Sequence, residues 1–240
     1  MLGLILEPYP EPMTKQMAFR DRTRRRIIFL LSPANASGIR GQRLLAPGAQ
    51  SQLAQRLRQA GVPLGEVYRF ISSLYFRGKY EYADQFKNPP TGIPGVHIIT
   101  GAGLMLPETV VTLDELRRIS ATRIDANNSC YRSHLDRDLL RLRELAGCEA
   151  DVILMGSIAT SKYLTPLLEV FGERLLFPKD FLGRGDMSRG SLLLRCCSSG
   201  TPLPYIPAIT LSLGGKKRLR VGHAAPVMDA VNIKNRARAI

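Results

Sequence analysis

The sequence predicts an α/β fold, with a single compact domain, a central mixed sheet flanked by helices, and irregular basic termini. Short apolar runs rich in branched and aromatic side chains alternate with longer segments whose apolar residues recur at helical spacing. The 240 residues are 45% hydrophobic, which is enough for a substantial core. No internal repeat or change in composition indicates a second domain. We expect a basic arm over residues 1–26, the α/β domain over 27–213 and a basic tail over 214–240.

The first strand is predicted over Ile27–Leu31, because branched and aromatic apolar residues run together there and end at a Ser-Pro pair. A polar loop over residues 32–38 follows it, at the kind of strand end where open α/β sheets keep their ligand sites. A helix is then predicted from Ala49 to Gly61, since its apolar residues share one face and a glycine ends it.

A second helix is predicted to begin near Leu64 and to run out at Arg77-Gly78, because its apolar residues fall at helical spacing. Residues 76–82 mix aromatic and cationic side chains around a flexible glycine, a composition that suits stacking on bases and neutralising phosphates. The alternative is that these tyrosines pack at the edge of the core. A loop over residues 87–95 leads into the second predicted strand, Val96–Thr100.

The glycine-rich turn over residues 101–103 is not a dinucleotide-binding fingerprint. Leu106 and Pro107 stand where that motif requires a glycine and a helix. A short helix is predicted over Thr112–Ile119, and a capping-box pattern predicts that a longer amphipathic helix begins near Ser133.

The remaining elements repeat the alternation of strand and helix. Strands are predicted over Asp151–Gly156 and Arg174–Phe177, with a helix between them that Pro166 begins or kinks. A Gly-Arg-Gly-Asp turn over residues 183–186 then opens an apolar helix, and Tyr205–Leu213 is the last apolar run.

A net charge of +14 and an isoelectric point near 10.1 favour polyanionic partners. Much of the excess lies in Arg20–Arg26, Lys216–Arg220 and Lys234–Arg238, and the alternative for these clusters is a solvated tail. No apolar run is long enough for a membrane span and no signal peptide is apparent, so we predict a cytoplasmic protein without a membrane partner.

Cysteine and histidine spacing predicts neither a metal site nor a disulfide framework. The four cysteines lack a C-x-x-C pair and are expected to be reduced core residues, and the three histidines are scattered. We predict no metal and no cofactor.

Polar and cationic residues follow three predicted strands, so one edge of the sheet is expected to collect them. A helix that opens at the Gly-Arg-Gly-Asp turn directs free backbone N–H groups and its positive dipole end at an anion such as phosphate. The alternative is a structural turn with Asp186 as N-cap and Arg189 as a solvated charge. The candidate phosphate- or nucleic-acid-binding residues are Asn35, Arg77, Lys79, Tyr80, Lys162, Arg184 and Arg189. The candidate catalytic residues are Ser32, Asp186 and Ser188.

Three short motifs occur in order along the chain: Leu-Ser-Pro-Ala at residues 31–34, Phe-Arg-Gly-Lys-Tyr-Glu-Tyr at 76–82 and Arg-Gly-Asp-Met-Ser-Arg at 184–189. They resemble motifs of the YaaA family, the bacterial peroxide-stress response group. The resemblance implies a compact α/β fold with a basic cleft, DNA binding and a part in limiting oxidative damage to DNA. The family's lysine after the first motif is Asn35 here, so a role tied to that lysine is not carried over.

These observations leave several functional hypotheses. The leading one is a DNA-binding protein that engages phosphates in a basic cleft, largely independently of sequence. The alternative is an enzyme that acts on a nucleobase, nucleotide or sugar phosphate in the same cleft, with a phosphate-bearing small molecule as partner. A third is a basic adaptor whose tails bind RNA or acidic partners. A cavity that gathers Ser32, Lys79, Asp186 and Arg189 favours catalysis, whereas a long open groove favours DNA.

Overall fold

The computed structural model describes residues 25–72 and 74–211 and has the α/β architecture that the sequence predicts. The strands are β1 (Arg26–Leu31), β2 (Val62–Pro63), β3 (Val96–Thr100), β4 (Gly103–Met105), β5 (Val110–Val111), β6 (Ala150–Met155), β7 (Leu175–Pro178) and β8 (Tyr205–Pro207). Six of them form one mixed sheet in the order β4-β3-β1-β6-β7-β8, and β2 pairs with β5 in a separate small sheet.

The centre of the main sheet is parallel. Strand β1 pairs with β3 on one side and with β6 on the other, and β6 pairs in parallel with β7. The edge strands β4 and β8 are antiparallel to their neighbours. The carboxyl ends of β1, β3, β6 and β7 therefore lie at one edge of the sheet, and the chain leaves β1 and β6 in opposite directions. Such a switch in strand order opens a crevice at this edge.

The described residues form the helices α1 (Ile39–Leu45), α2 (Gln52–Gln59), α3 (Leu64–Ile71), α4 (Tyr75–Phe86), α5 (Leu113–Ala121), α6 (Ser129–Ala146), α7 (Ser161–Phe171) and α8 (Asp186–Ser199). Helices α4, α6 and α7 contact strands of the main sheet. Short 3₁₀ turns span Gly172–Arg174 and Lys179–Phe181. The core contains all of β6 and most of β1, together with the apolar faces of the helices.

Helix α4 differs most from the sequence-based expectation. The helix that begins near Leu64 was predicted to run out at Arg77-Gly78, and this prediction is wrong, because α3 ends at Ile71 and α4 continues through Gly78 to Phe86. Gly78 does not break the helix. A Cβ atom there would lie 2.9 Å from the backbone carbonyl oxygen of Gly190 in α8, so the glycine allows two helices to cross closely.

Two predicted helix starts are also corrected. Helix α6 begins at Ser129 rather than Ser133, because the Asn128 side chain accepts hydrogen bonds from the backbone N–H groups of Cys130 and Tyr131. Helix α8 has Gly185 as its N-cap, without a side-chain cap, and Asp186 is its first helical residue.

The cysteines do not all lie in the core. Cys196 and Cys197 are half-buried, but Cys130 and Cys148 are exposed, so the prediction of core positions is wrong for the second pair. All four are free. Among the described residues, no cluster of His, Cys, Asp and Glu has the grouping of a metal site.

The ends of the predicted domain are partly described. Strand β1 includes Arg26, and Arg25 forms an ion pair with Asp151, so ordered structure extends two residues into the predicted arm. The basic clusters at Lys216–Arg220 and Lys234–Arg238, like residues 1–24, lie outside the described residues. Within residues 25–72 and 74–211, no helix has the length and apolar character to cross a bilayer.

Candidate functional site

A cavity of about 420 Å³ lies at the edge of the sheet where the parallel strands end. We call it the Lys79 cavity. Its walls come from the loop after β1, the start of α1, the end of α3, helix α4, the segment after β6, the start of α7 and the start of α8. Its lining includes Ser32, Asn35, Arg40, Ile71, Tyr75, Lys79, Ser157, Lys162, Tyr163 and Asp186. Its volume lies within the range of small-molecule sites, which is about 300–1,000 Å³.

Ser32 lies at the floor of the cavity, directly after β1, and is buried. Its backbone N–H donates to the carbonyl oxygen of Met155, the last residue of β6, across 3.1 Å. The side chain then fits against Gly156, where a Cβ atom would lie 3.0 Å from the Ser32 Cβ. The neighbouring ends of β1 and β6 therefore fix the position of the serine.

Lys79 reaches this floor from α4 and is almost completely buried, with 1% of its surface exposed. Its Nζ donates to the Ser32 carbonyl oxygen at 2.5 Å and to Ser32 Oγ at 2.8 Å. Ser32 Oγ in turn donates its one proton to the Met155 carbonyl oxygen at 3.3 Å. The serine hydroxyl therefore accepts from Lys79, and this arrangement does not use the lysine to remove the serine proton.

Burial is the main influence on the charge of Lys79, and it lowers the pKa of the ammonium group to about 7. Asp186 opposes this effect and raises the pKa, while the positive charge of Arg189 lowers it further. The rings of Tyr75 and Phe76, centred 4.6 Å and 5.1 Å from Nζ, provide the protonated form with cation–π contacts. The neutral form of this amine is therefore far more populated near neutral pH than that of an ordinary exposed lysine.

Tyr75 lines the same cavity one helical turn before Lys79. It is 9% exposed, and its buried hydroxyl has no hydrogen-bond partner of good geometry among the described residues, although the Arg189 guanidinium lies close enough to influence its pKa. Burial raises the pKa of this hydroxyl and Arg189 opposes the shift, but the hydroxyl is a proton donor at neutral pH either way. A buried polar atom without a partner costs about 1–3 kcal/mol, so Tyr75 has a donor available for a group bound in the cavity.

The start of α8 brings some of the predicted residues to the cavity. Asp186 lines it, and no described residue forms an ion pair with this carboxylate. Arg184 and Ser188 are exposed and contact each other through a 3.2 Å hydrogen bond. Arg189 is half-buried and donates through Nε and Nη2 to the Phe181 carbonyl oxygen, at 3.2 Å and 2.9 Å. Neither the N-cap role of Asp186 nor the solvated Arg189 of the structural-turn alternative matches this arrangement.

Two further cations, Lys162 and Arg40, line the cavity. Lys162 in the first turn of α7 lies with Nζ 5.0 Å from the ring centroid of Tyr163, and Tyr131 donates to its backbone carbonyl oxygen at 3.0 Å. Arg40 in α1 also lines the cavity and is exposed. Among the described residues, neither cation has a carboxylate partner. Both can therefore meet an anionic group.

Two predicted binding residues lie elsewhere. Arg77 is exposed on α4 and pairs with Glu81 one turn later, at 2.9 Å between Nε and Oε1. Tyr80 is half-buried, with the guanidinium carbon of Arg69 5.7 Å from its ring centroid. Because residues 76–82 are helical, only part of the segment can face the cavity, and that part includes Lys79.

The polar groups that converge are Ser32, Asn35, Lys79, Lys162 and Asp186, all of which sequence reasoning selected, together with Tyr75 and Arg40, which it did not. The Lys79 amine, with a pKa near 7, the Asp186 carboxylate and the Tyr75 phenol are groups that can transfer protons, and the amine can also form a covalent bond with a ligand. No family model matches the chain, and neither a curated protein nor a solved structure does so.

Proposed function

We propose that the protein is an enzyme that acts on a nucleotide, a nucleobase compound or a sugar phosphate bound in the Lys79 cavity. The observation that carries this proposal is Lys79 itself. Burying a lysine without a charged partner destabilises a protein, so a buried lysine of this kind indicates a functional role. The only hydrogen-bond partners of Lys79 among the described residues are the neutral oxygens of Ser32. A cleft residue with a strongly lowered pKa is a recognised mark of catalytic sites.

The other groups divide into a reacting end and an anchoring end. Lys79, Tyr75 and Asp186 supply a proton acceptor, a proton donor and a negative charge. Lys162 and Arg40 supply the positive charge that a phosphate requires. The helix start at Arg184–Ser188 contributes less to anion binding than the sequence suggests, because the carboxylate of Asp186 occupies its first turn.

The reaction is tested by incubating the protein with nucleoside 5′-monophosphates and with sugar phosphates, and following each compound by liquid chromatography and mass spectrometry. We expect one class to be converted, with Lys79→Met reducing the rate by about 100-fold or more, as loss of a proton-transfer group does. Lys87→Met is the matched control, because Lys87 is exposed directly after α4 and pairs with Asp84. If no compound is converted and none raises the melting temperature, the proposal is wrong.

A second candidate is sequence-independent binding of duplex DNA, which the net charge of +14 favours. It is compatible with the first if the cavity receives one nucleotide unit of the duplex. Fluorescence anisotropy over a range of salt concentrations tests it. Binding by phosphate neutralisation predicts a steep loss of affinity from low to physiological salt, and an affinity that barely changes contradicts this candidate.

A further inference from the structure

We propose that Lys79 forms an imine with the open-chain aldehyde of a sugar phosphate, an inference that rests on the proposed function and names its substrate class. The geometry points to a ligand with a carbonyl at one end and a phosphate at the other. The carbonyl meets the amine at the floor of the Lys79 cavity, and the phosphate meets the two cations on its wall.

The hydrogen bonds of Lys79 leave its lone pair available. A neutral amine has two N–H groups, and Ser32 offers two acceptors, the carbonyl oxygen and Oγ. When both N–H groups donate hydrogen bonds, the lone pair is the remaining position at which the nitrogen can react. The amine is kept from bulk water, and this burial favours the neutral nucleophile over the ammonium ion.

The step balances without an added oxidant or reductant. The nitrogen lone pair forms a C–N bond with the aldehyde carbon, and the carbonyl π electrons move to oxygen. That oxygen takes one proton from the nitrogen and a second from the Tyr75 hydroxyl, which has no partner among the described residues. The oxygen then leaves as water with the C–O bonding electrons, the protonated imine keeps one N–H group, and the Asp186 carboxylate stabilises its positive charge.

The anchoring end requires a dianion rather than a neutral sugar. Arg40 and Lys162 line the cavity, and no described carboxylate neutralises either of them. Asn35, in the loop after β1, adds an amide side chain to the same lining. A phosphate at this wall places the other end of a short sugar chain toward the floor, so phosphorylated sugars are expected to react and their unphosphorylated counterparts to react poorly.

The test uses D-ribose 5-phosphate as probe, with sodium cyanoborohydride to reduce the imine, followed by peptide mapping of the full chain. We expect the adduct on the peptide that carries Lys79, at least about tenfold above that on Lys87, because an ordinary exposed lysine has far less free amine at neutral pH. D-Ribose is expected to label Lys79 poorly. Lys79→Met is expected to remove the adduct, and because the map of the wild-type protein identifies the site directly, the result does not depend on the folding of the variant.

Ribitol 5-phosphate separates this inference from the function beneath it, since it has the phosphate but no carbonyl. If ribitol 5-phosphate raises the melting temperature and ribose 5-phosphate leaves no adduct on Lys79, the imine is wrong and sugar-phosphate binding stands. Equal labelling of Lys79 and Lys87 also overturns the imine, because it is the pattern of unselective glycation. If neither compound binds or reacts, the assignment of a sugar phosphate to the cavity is wrong as well.

Discussion

Lys79 ties the stability of the protein to pH through one buried amine. Its pKa is lowered to about 7 in the folded protein, and an unfolded lysine titrates near ~10.4. Between these values the unfolded state binds more protons, so the free energy of unfolding rises with pH. Below pH 7 both states are protonated, and the cost of the buried charge is present in full.

Replacing this amine should therefore flatten the pH profile of stability. Between about pH 7 and 10, we expect the free energy of unfolding of the wild type to rise relative to that of Lys79→Met by about 1 kcal/mol per pH unit. Urea denaturation at several pH values measures the difference. Lys87→Met is the control, because Asp84 raises the pKa of Lys87 and does not lower it. Parallel curves for the wild type and Lys79→Met would contradict the assigned state of the lysine.

Asp186 and Arg189 act on the same amine with opposite signs. Asp186→Asn removes the charge that raises the pKa of Lys79, so the pH window in which stability increases is expected to begin at lower pH. The same denaturation series measures this shift. A window that moves upward, or that does not move at all, would show that Asp186 does not act on the lysine.

Arg189, which the sequence motif predicts to bind phosphate, also has structural contacts within the folded chain. Both donating nitrogens face the Phe181 carbonyl oxygen, and the guanidinium carbon lies 5.2 Å from the Phe181 ring centroid. Arg189→Ala is therefore expected to reduce the free energy of unfolding by about 1–3 kcal/mol through the unpaired carbonyl. Affinity for a sugar phosphate, measured by calorimetry, is expected to change less than in Lys162→Ala. A larger loss of affinity in Arg189→Ala than in Lys162→Ala would instead support the phosphate contact that the motif suggests.

At the level of elements, the crossing of α4 over α8 positions the site. The backbones of the two helices approach closely at Gly78 and Gly190, and Lys79 directly follows Gly78 in α4. Gly78→Ala would place a methyl group 2.9 Å from a backbone oxygen, so the helices must move apart. We expect a loss of about 1–3 kcal/mol in the free energy of unfolding, together with a smaller effect of pH on stability as Lys79 becomes better hydrated.

Gly48→Ala is the matched control for this substitution, because a Cβ atom at Gly48 meets nothing within 4 Å. Its free energy of unfolding should stay within about 0.5 kcal/mol of the wild type. Equal effects of Gly48→Ala and Gly78→Ala on thermal or urea denaturation would mean that the crossing tolerates a wider separation than the structure suggests.

The same crossing explains what could and could not be predicted from the sequence. The strands were predicted within about one residue, apart from the short β2, β4, β5 and β8, because a buried parallel strand leaves a continuous apolar run. Helix α4 was missed because Gly78 suggests a break, and only the position of Gly190 in space shows why a helix requires a glycine there. Tyr75 was missed for a related reason, because only the folded structure shows that its buried hydroxyl has no hydrogen-bond partner among the described residues.

Over the whole molecule, both the Lys79 cavity and the net charge of +14 can attract anions. The described lining of the cavity runs from Ser32 to Asp186 in the sequence, whereas the basic clusters at Lys216–Arg220 and Lys234–Arg238 lie beyond the described residues. The sequence located these basic clusters, but which cations line a cavity depends on the folded arrangement and could not be predicted from it. The edge of the sheet was predictable as a collecting point, since parallel strands must end together.

The contribution of one basic cluster can be tested separately from that of the Lys79 cavity by neutralising the cluster in the full chain. Replacing Lys216, Lys217, Arg218 and Arg220 with glutamine is expected to reduce the salt dependence of duplex DNA binding, by up to about 0.9 in the logarithmic slope for each phosphate that the variant no longer neutralises. Labelling of Lys79 by ribose 5-phosphate should be unchanged, because the variant keeps the cations of the described cavity lining, Arg40, Lys79 and Lys162. If the slope stays the same and labelling falls, the charge of the terminal cluster contributes to the cavity instead, and the two features belong to one binding surface.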